Sequence, residues 1–321
     1  MKSTVSKILI ACTLFCLADF STADAKFKFT PPNPSTEFEK MDYPQVYPTY
    51  SWEPVAKTEF YQVQVVRVEG LQEKIVSDLT NSEALNRVTD WQALTQEGNY
   101  FWRVRVVDKK KRPLSDWSKK KFFSVTTPVT FAALGDSITH GGANFIPAGQ
   151  LACQWETFCD VPIKNIGRSG DTTQMMVERF ENDVLPFKPK VLFIMGGVND
   201  IRGGINSGAV IKNLETLREK CLAHEIIPVF GTLTPMNEKI MRGLGIFITD
   251  GDWRGERQKI NAWVLENGGV DVTQGLCDSE GELRADFTPD GLHPDLRGKK
   301  LMGEAIGKFL REKFPALTDG R

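Results

Sequence analysis

The sequence has few of the residues that bind metals and few long apolar runs. Its 321 residues include only three histidines and six cysteines, and their spacing does not match that of a metal site. We therefore expect no metal and no cofactor. Beyond the N-terminus, no apolar run reaches the roughly 20 residues that a membrane-spanning helix needs, so we expect no transmembrane segment.

The sequence also lacks an excess of charge of either sign. It carries 40 lysines and arginines against 41 aspartates and glutamates, a formal net charge of −1. Domains that bind nucleic acids usually carry a clear basic excess, so we expect no nucleic-acid partner. Two short basic runs, residues 109–112 and 119–121, are interpreted as a solvated hairpin tip and edge strand, with a binding patch as the less favoured alternative.

The first residues have the features of an export signal. Lys2 and Lys7 precede an apolar stretch at residues 8–20, and Ala23-Asp24-Ala25 has the small residues of a signal-peptidase site. The pattern predicts a signal peptide over residues 1–25 and an exported protein. The apolar stretch is too short to span a bilayer.

Cys16 permits a second interpretation of this segment, a lipidated N-terminus. The residue before it is Phe15, whereas a lipid-attachment signal needs a small residue there. We therefore favour plain export, with a mature chain that begins near Lys26 and a periplasmic or extracellular location.

Residues 26–127 are predicted to form a small all-β sandwich domain. Residues 61–68 and 100–107 alternate apolar and polar side chains with a period of two, as strands with one buried face do. Trp52 on an early strand and the Ser-Asp-Trp-Ser motif at residues 115–118 resemble a fibronectin type III module. Because a sandwich completes its own core, we expect this domain to fold independently.

The predicted sandwich contains four tryptophans, namely Trp52, Trp91, Trp102 and Trp117. Such rings could form a platform on which sugars stack, but tryptophans at these positions are more often part of a core. The sequence leaves the role of the domain open.

The chain from residue 128 to residue 321 alternates between strand-like and helix-like segments. Strand patterns occur at residues 129–134, 162–166, 191–195 and 226–231, and helical patterns occur at residues 172–185, 207–223, 253–266 and 295–314. This alternation predicts an α/β domain with a parallel sheet, right-handed crossovers and helices on both faces. Thr127-Pro128 is the predicted domain boundary.

Residues 129–142, VTFAALGDSITHGG, contain the candidate nucleophile. An apolar run without helical period stops at Gly135-Asp136-Ser137, which predicts a buried strand followed by a tight turn. Open α/β sheets form their ligand crevices at the carboxyl ends of strands. Ser137 thus occupies a position that suits a nucleophile, although glycine, aspartate and serine are also common in turns without a catalytic role.

Three later segments strengthen that interpretation, namely NIGRSGDT at 165–172, GGVND at 196–200 and DGLHP at 290–294. With Gly-Asp-Ser they make four blocks in order, and the set resembles the SGNH or GDSL-type hydrolase family over residues 129–314. Ile138 stands where the family name has leucine. The resemblance implies a three-layer, flavodoxin-like α/β fold and a serine esterase activity without a cofactor.

The resemblance assigns a role to each block. Ser137 is the nucleophile, and Asp290 and His293 form the pair that activates it. Gly170 and Asn199 supply oxyanion donors together with the Ser137 N–H. Acyl transfer needs these groups, because a serine hydroxyl requires an oriented base and the tetrahedral intermediate requires donors already aimed at its oxyanion.

The other two histidines suit the base less well. His224 ends a helical pattern, where a cation complements the helix dipole, so we interpret it as a surface residue. His140 lies three residues after the nucleophile and could line the pocket. Three aspartates in the blocks are interpreted as bracing the turns: Asp136, Asp171 and Asp200.

Four cysteines follow the predicted signal peptide: Cys153, Cys159, Cys221 and Cys277. In an oxidising compartment they permit three full pairings. We favour a disulfide between Cys153 and Cys159, because both lie in one Gly-rich and aromatic stretch near the predicted crevice. The other two are interpreted as buried thiols.

The sequence thus predicts an exported serine esterase, with an accessory β-sandwich, that removes small acyl groups, acetyl first, from carbohydrate. A lipase, lysophospholipase or thioesterase with the same triad is the first alternative, and residues 241–249 (MRGLGIFIT) could supply its apolar acyl slot. The second alternative is a glycan-binding surface protein with a vestigial hydrolase domain. The glycan and the oligomeric state are not predicted.

Overall fold

A computed structural model of the chain describes residues 27–36, 38–58, 60–81, 86–142 and 153–318. The predicted signal peptide at residues 1–25 lies outside these ranges. Within them, no helix combines the length and the apolar character that crossing a membrane requires.

The N-terminal part consists of two antiparallel sheets. Its strands are β1 (Thr49–Ser51), β2 (Phe60–Glu69), β3 (Gln72–Thr80), β4 (Arg87–Thr89), β5 (Gly98–Val107) and β6 (Lys121–Val125). β1 pairs with β4, and the strand order in the larger sheet is β3-β2-β5-β6. The two alternating segments predicted as strands are β2 and β5, which pair along nearly their whole length.

Aromatic side chains fill the space between these two sheets. Tyr50 of β1 lies 5.2 Å from Trp102 of β5, and Trp52 lies 4.9 Å from Tyr61 of β2, measured between ring centroids. Trp52 and Trp102 are fully buried, so they belong to the core of the predicted sandwich. Trp91 differs, because 51% of its surface is exposed.

The second part contains a parallel sheet of four strands. They are β7 (Phe131–Gly135), β8 (Ile163–Gly167), β9 (Val191–Met195) and β10 (Ile227–Phe230), in the order β10-β9-β7-β8. Every residue of β7, β8 and β9 is buried, as a parallel sheet covered on both faces requires.

Eight α-helices surround this sheet in the described residues: α1 (Ser137–His140), α2 (Thr173–Asp183), α3 (Val198–Arg202), α4 (Ser207–Ala223), α5 (Glu238–Gly243), α6 (Trp253–Glu266), α7 (Leu296–Lys313) and α8 (Pro315–Thr318). Polar side chains cap the N-termini of the four longest by accepting a backbone hydrogen bond, namely Thr172, Asn206, Asp252 and Asp295. The helices predicted at 207–223 and 253–266 are α4 and α6.

Helices cover both faces of the sheet. Arg218 of α4 lies over the ring of Phe230 in β10, and α7 packs on the short 3₁₀ helix Trp155–Phe158. Trp155 meets Phe193 of β9 edge to face at 5.3 Å. Phe193 is aligned with the residue before Phe230, so the two rings point to opposite faces. The predicted three-layer α/β fold is confirmed.

The strand register brings three loops to one edge of the sheet. Gly135, the last residue of β7, is aligned with Gly167 of β8 and with Met195 of β9. The turn after β7 is tight, since a Cβ atom on Gly135 would lie 2.3 Å from Oγ1 of Thr139. The residues that follow the three strands therefore meet at this edge.

Buried contacts connect the two parts of the chain, which bears on the prediction that the sandwich folds independently. Their buried apolar side chains form a single cluster. The N–H of Val46 donates to the carbonyl of Asn165 at 3.0 Å. Buried Lys164 donates to the carbonyl of Pro44 at 2.6 Å, and the Tyr47 hydroxyl donates to Asp183 at 2.6 Å.

The predicted disulfide between Cys153 and Cys159 is not formed. The four cysteines of the described residues carry thiols. The 3₁₀ helix between the two residues turns Cys159 toward α7, where its Sγ donates to the carbonyl of Gly303 at 3.1 Å. Burial raises the pKa of the Cys159 thiol well above its usual range, so the thiol is held in its neutral form.

Because buried contacts connect the two parts, we expect the whole chain to unfold in one thermal transition. Calorimetry should give equal calorimetric and van't Hoff enthalpies. Tyr47→Phe removes a donor from a buried carboxylate, so it should lower stability by about 1–3 kcal/mol and shift that single transition downward. Two resolved transitions, with Tyr47→Phe moving only one of them, would instead show that the two parts unfold independently.

Candidate active site

Ser137 begins α1 directly after β7. The side chain of Asp136 caps this short helix by accepting the N–H of Ile138 at 2.9 Å. On the opposite side, the buried ammonium of Lys299 in α7 donates to the Ile138 carbonyl. Ser137 itself is only half-buried. Ser137 is thus not closed off from solvent, while two hydrogen bonds to Ile138 fix the turn that carries it.

His293 lies within hydrogen-bond reach of this hydroxyl. Its Nε2 is 2.9 Å from Oγ of Ser137, and its Nδ1 is 2.7 Å from Oδ2 of Asp290. A carboxylate can only accept, so Nδ1 carries the proton and the lone pair of Nε2 faces the serine. The imidazole is therefore in the tautomer that can take a proton from Ser137.

Asp290 is held as a carboxylate although it is fully buried. Burial by itself raises the pKa of Asp290, but hydrogen bonds from the His293 ring and from the N–H groups of His293 and Leu292, together with the charge of His293, outweigh it and lower this pKa to about 2. The group is thus charged at neutral pH, where it can stabilise an imidazolium on His293.

The turn that carries this pair is held by its own hydrogen bonds. Oδ1 of Asp290 accepts the N–H of Leu292 at 3.0 Å and that of His293 at 2.8 Å. The hydroxyl of Thr288 donates to the His293 carbonyl at 2.9 Å and accepts the N–H of Gly291 at 2.8 Å. The Asp-x-x-His spacing therefore lets one turn fix both the backbone of His293 and the Nδ1 side of its imidazole.

Gly170 lies in the loop after β8. Its φ of +90° is in the left-handed region, and the space where a Cβ would stand is open, so its backbone can be approached closely. The N–H of Arg168 donates to the Gly135 carbonyl at 2.9 Å and ties this loop to the turn that carries Ser137. Among the residues that the structure describes, no backbone carbonyl accepts the N–H of Gly170 or of Ser137.

Asn199 lies in α3 after β9, and its amide has a defined orientation. Nε of Arg202 is 3.0 Å from the Asn199 side-chain oxygen, and a guanidinium can only donate. The amide NH₂ therefore faces the other way, where it donates to the carbonyl of Asp171 at 2.9 Å. That carbonyl takes one of the two amide hydrogens.

Buried ion pairs and hydrogen bonds brace the three loops. The guanidinium of Arg179 donates to the carboxylate of Asp171 and to the carbonyl of Gly135. Asp200 accepts from the N–H of Thr173 and, at 2.7 Å, from its hydroxyl. The aspartates of the sequence blocks thus hold the loops in place.

His140 is covered by the N-terminal part, whereas its position after the nucleophile suggested that it could line the pocket. It is buried, its Nε2 donates to the carbonyl of Tyr47 at 2.6 Å, and its Nδ1 lies 2.8 Å from the hydroxyl of Ser169. Burial lowers the pKa of His140 to about 4, so the ring is neutral. The residue connects the nucleophile helix to the N-terminal part. His224 is exposed at the end of α4.

Sequence reasoning missed three cations that hold the site. Arg179 could have been found from its i,i+4 spacing to Asp183 on a predicted helix. Lys299 lies three residues before the buried Met302, so helical spacing places it on the buried face of α7. This spacing is only a weak signal in the sequence. Arg202 has no distinguishing signal, because a charged residue at the end of a short helix is common.

Comparison with known proteins adds two family matches. Residues 133–301 match the model of the GDSL-like Lipase/Acylhydrolase family. Residues 41–127 match the model of the Rha78A-like, N-terminal immunoglobulin domain. Immunoglobulin and fibronectin type III domains share the antiparallel sandwich architecture, so the second match agrees with the sheets described above.

Individual relatives cover parts of the chain. The uncharacterized lipoprotein YqeF of Bacillus subtilis (strain 168) is 33% identical over 118 residues, which are 33% of this chain and 49% of that protein. The chain thus spans about half the length of this curated relative. A GDSL-like lipase from Bacteroides thetaiotaomicron VPI-5482 is 20% identical, with a TM-score of 0.49 over 59% of this chain and 93% of its own.

A lipase/acylhydrolase from Enterococcus faecalis is 22% identical, with a TM-score of 0.47 over 58% of this chain and 97% of its own. The family match is the more informative finding, because it includes the nucleophile turn, both later loops and the turn that carries Asp290 and His293. Since the match spans more than half of the 321 residues, the chain belongs to the GDSL-like lipase/acylhydrolase family.

Proposed function

We propose that this acylhydrolase is an exported serine esterase that removes small acyl groups, acetyl first, from carbohydrate. The observation that carries the proposal is the continuous hydrogen-bonded chain from Asp290 through His293 to the half-buried hydroxyl of Ser137. A serine hydroxyl is a poor nucleophile at neutral pH, and this chain supplies the oriented base that it needs.

In the first half of the reaction, Oγ of Ser137 attacks the ester carbonyl carbon while Nε2 of His293 takes the hydroxyl proton. The carbonyl oxygen becomes an oxyanion, and Asp290 stabilises the imidazolium. When the tetrahedral intermediate collapses, the bond to the alcohol breaks and Nε2 gives its proton to the leaving oxygen. The acyl group then remains on Ser137.

In the second half, a water molecule attacks the acyl-enzyme and Nε2 of His293 takes its proton. The new tetrahedral intermediate collapses to a carboxylic acid, and the proton returns to Oγ of Ser137. Both oxyanions need donors that are already in place. The N–H groups of Ser137 and Gly170 and the amide of Asn199 fill this role in our proposal.

The proposal of export rests on the N-terminal sequence and on a relative. Residues 1–25 have the basic start, apolar stretch and small residues of a signal peptide. The Bacillus subtilis relative is named as a lipoprotein. A lipidated N-terminus therefore stays the alternative to plain export, and mass spectrometry of the mature N-terminus from the producing cells separates the two.

One observation favours a second candidate, an esterase for longer acyl chains. Ile205, Leu244 and Phe247 are 41%, 51% and 65% exposed; we call them the apolar patch. The guanidinium of Arg202, which orients Asn199, donates to the carbonyl of Phe247 at 3.0 Å. The segment predicted as an acyl slot is thus held close to the candidate oxyanion donor.

The acyl-chain dependence of kcat/KM distinguishes the two candidates. We expect a steep fall from acetyl to butyryl, octanoyl and palmitoyl esters of one alcohol. A methylene that finds an apolar wall would instead add up to about 0.8 kcal/mol of binding. A rise from acetyl to octanoyl would overturn the short-chain proposal. If Phe247→Ala then lowered the octanoyl rate more than the acetyl rate, the apolar patch would be the acyl site.

A glycan-binding protein with a vestigial hydrolase domain is the alternative from another class. The short distances among Ser137, His293 and Asp290 argue against it, because a vestigial site has no need to keep them. Turnover of any acetate ester that is lost in Ser137→Ala would exclude this alternative.

A further inference from the structure

A cleft of about 600 Å³ is lined by Trp91 of the N-terminal part, by the loop after β8 and by α2. We call it the Trp91 cleft, and its lining includes Trp91, Arg168, Gly170, Met175, Glu178 and Asn182. Gly170 carries one of the N–H groups that we assign to the oxyanion hole. The cleft therefore begins next to the place where the ester carbonyl reacts.

Trp91 is held in place although half of its surface is exposed. Its ring lies 5.8 Å from the ring of His140 and 6.3 Å from that of Tyr47, between centroids. The backbone on either side is also fixed, because the N–H of Asp90 donates to the carbonyl of Pro48 and the N–H of Leu94 donates to that of Val46. An exposed indole fixed in this way costs little further entropy when a ligand stacks on it.

Besides the apolar side chains of Trp91 and Met175, the lining contains polar groups whose charges nearly balance. Arg168 and Asn182 offer hydrogen-bond donors, and Glu178 offers acceptors. A fatty chain would leave these groups without partners, and an anionic ligand would meet Glu178. A sugar ring suits the cleft better, since it has an apolar face for an aromatic ring and hydroxyls at its edge that both donate and accept.

We propose that the Trp91 cleft binds a sugar ring of the carbohydrate that carries the ester, so that the N-terminal part supplies one wall of the substrate site. This inference rests on the proposed carbohydrate esterase function and adds to it the position of a sugar subsite. It also separates Trp91 from Trp52 and Trp102, which belong to the core.

The test compares a carbohydrate ester with an ester that has no ring. Trp91→Ala should raise KM for O-acetylated xylo-oligosaccharides about tenfold and lower kcat/KM for ethyl acetate far less. Trp91→Phe keeps a flat ring and should recover most of the loss. Trp117→Ala is the matched control, because Trp117 is part-exposed in the same domain but stacks on Arg103 and Arg105. This variant should leave KM and kcat/KM unchanged for both substrates.

Direct binding makes the result independent of turnover. In the Ser137→Ala background, calorimetry should show binding of O-acetylated xylo-, manno- or chito-oligosaccharides that weakens about tenfold with Trp91→Ala. Equal losses on ethyl acetate and oligosaccharide, or no loss on either, would overturn the inference. So would the absence of binding to every oligosaccharide at millimolar concentration. If the oligosaccharide binds through Trp91 but the protein with Ser137 intact releases no acetate from it, the esterase function would be overturned while the sugar subsite would remain supported.

Discussion

Replacing Ser137 by alanine is expected to lower kcat on a soluble acetate ester by about 10⁶-fold, and His293→Ala by a similar factor. In the proposed mechanism the hydroxyl and the imidazole act as one unit, because the proton passes across the 2.9 Å contact between them in both halves of the reaction. Without Ser137 the imidazole has no hydroxyl to activate, and without His293 the hydroxyl has no base. The double variant should therefore be scarcely slower than either single variant.

The measurement is kcat from initial rates at saturating ester, with circular dichroism to show that each variant is folded. Two matched controls lie away from the site: Ser124→Ala on β6 and His224→Ala at the exposed end of α4. Both should keep the activity of the unchanged protein. Losses that multiply in the double variant would show that Ser137 and His293 act separately, which the proposed mechanism does not allow.

Asn199→Ala is expected to lower kcat about 10²- to 10³-fold with little change in KM. The reason is that Arg202 fixes the amide so that its NH₂ is already directed away from the guanidinium. A donor held in this way stabilises the oxyanion more than it stabilises the ground-state carbonyl, so its loss affects the chemical step. Asn199→Asp should be slower still, since a carboxylate cannot donate and adds repulsion.

Asn267→Ala is the control for this prediction. Its side chain donates to the carbonyl of Trp263 at the end of α6 and should leave kcat unchanged. If Asn199→Ala altered mainly KM, the amide would be assigned to substrate binding instead of the oxyanion hole. A fall in both kcat and KM, together with a lower melting temperature, would indicate that the hydrogen bond from Asn199 to the Asp171 carbonyl is mainly structural.

Local patterns in the sequence predict much of the fold and the separate parts of the site. The apolar run at 191–195 is β9, and the helical patterns at 207–223 and 253–266 are α4 and α6, because period and capping are properties of neighbouring residues. The tight turn at Gly135 can also be predicted locally, since such a turn after a buried strand needs a small residue.

Contacts between distant segments could not be predicted in this way. Cys153 and Cys159 are close in sequence, yet the thiol of Cys159 is directed at Gly303 of α7, more than 130 residues later. His140 lies beside the nucleophile in sequence, yet its ring is covered by the N-terminal part through Tyr47. In both cases, the partner that decides the outcome is brought in by tertiary packing, of which a single sequence contains no record.

The contact between Tyr47 and Asp183 has a consequence for engineering by domain exchange. Arg179 binds Asp183 and also holds the Gly135 carbonyl and the Asp171 carboxylate. A chimera joined at residue 127 with a foreign sandwich would keep every reacting group but lose the hydroxyl that steadies this arginine. A transplant aimed at new glycan preference should therefore retain residues 44–47 and vary only the surface around Trp91.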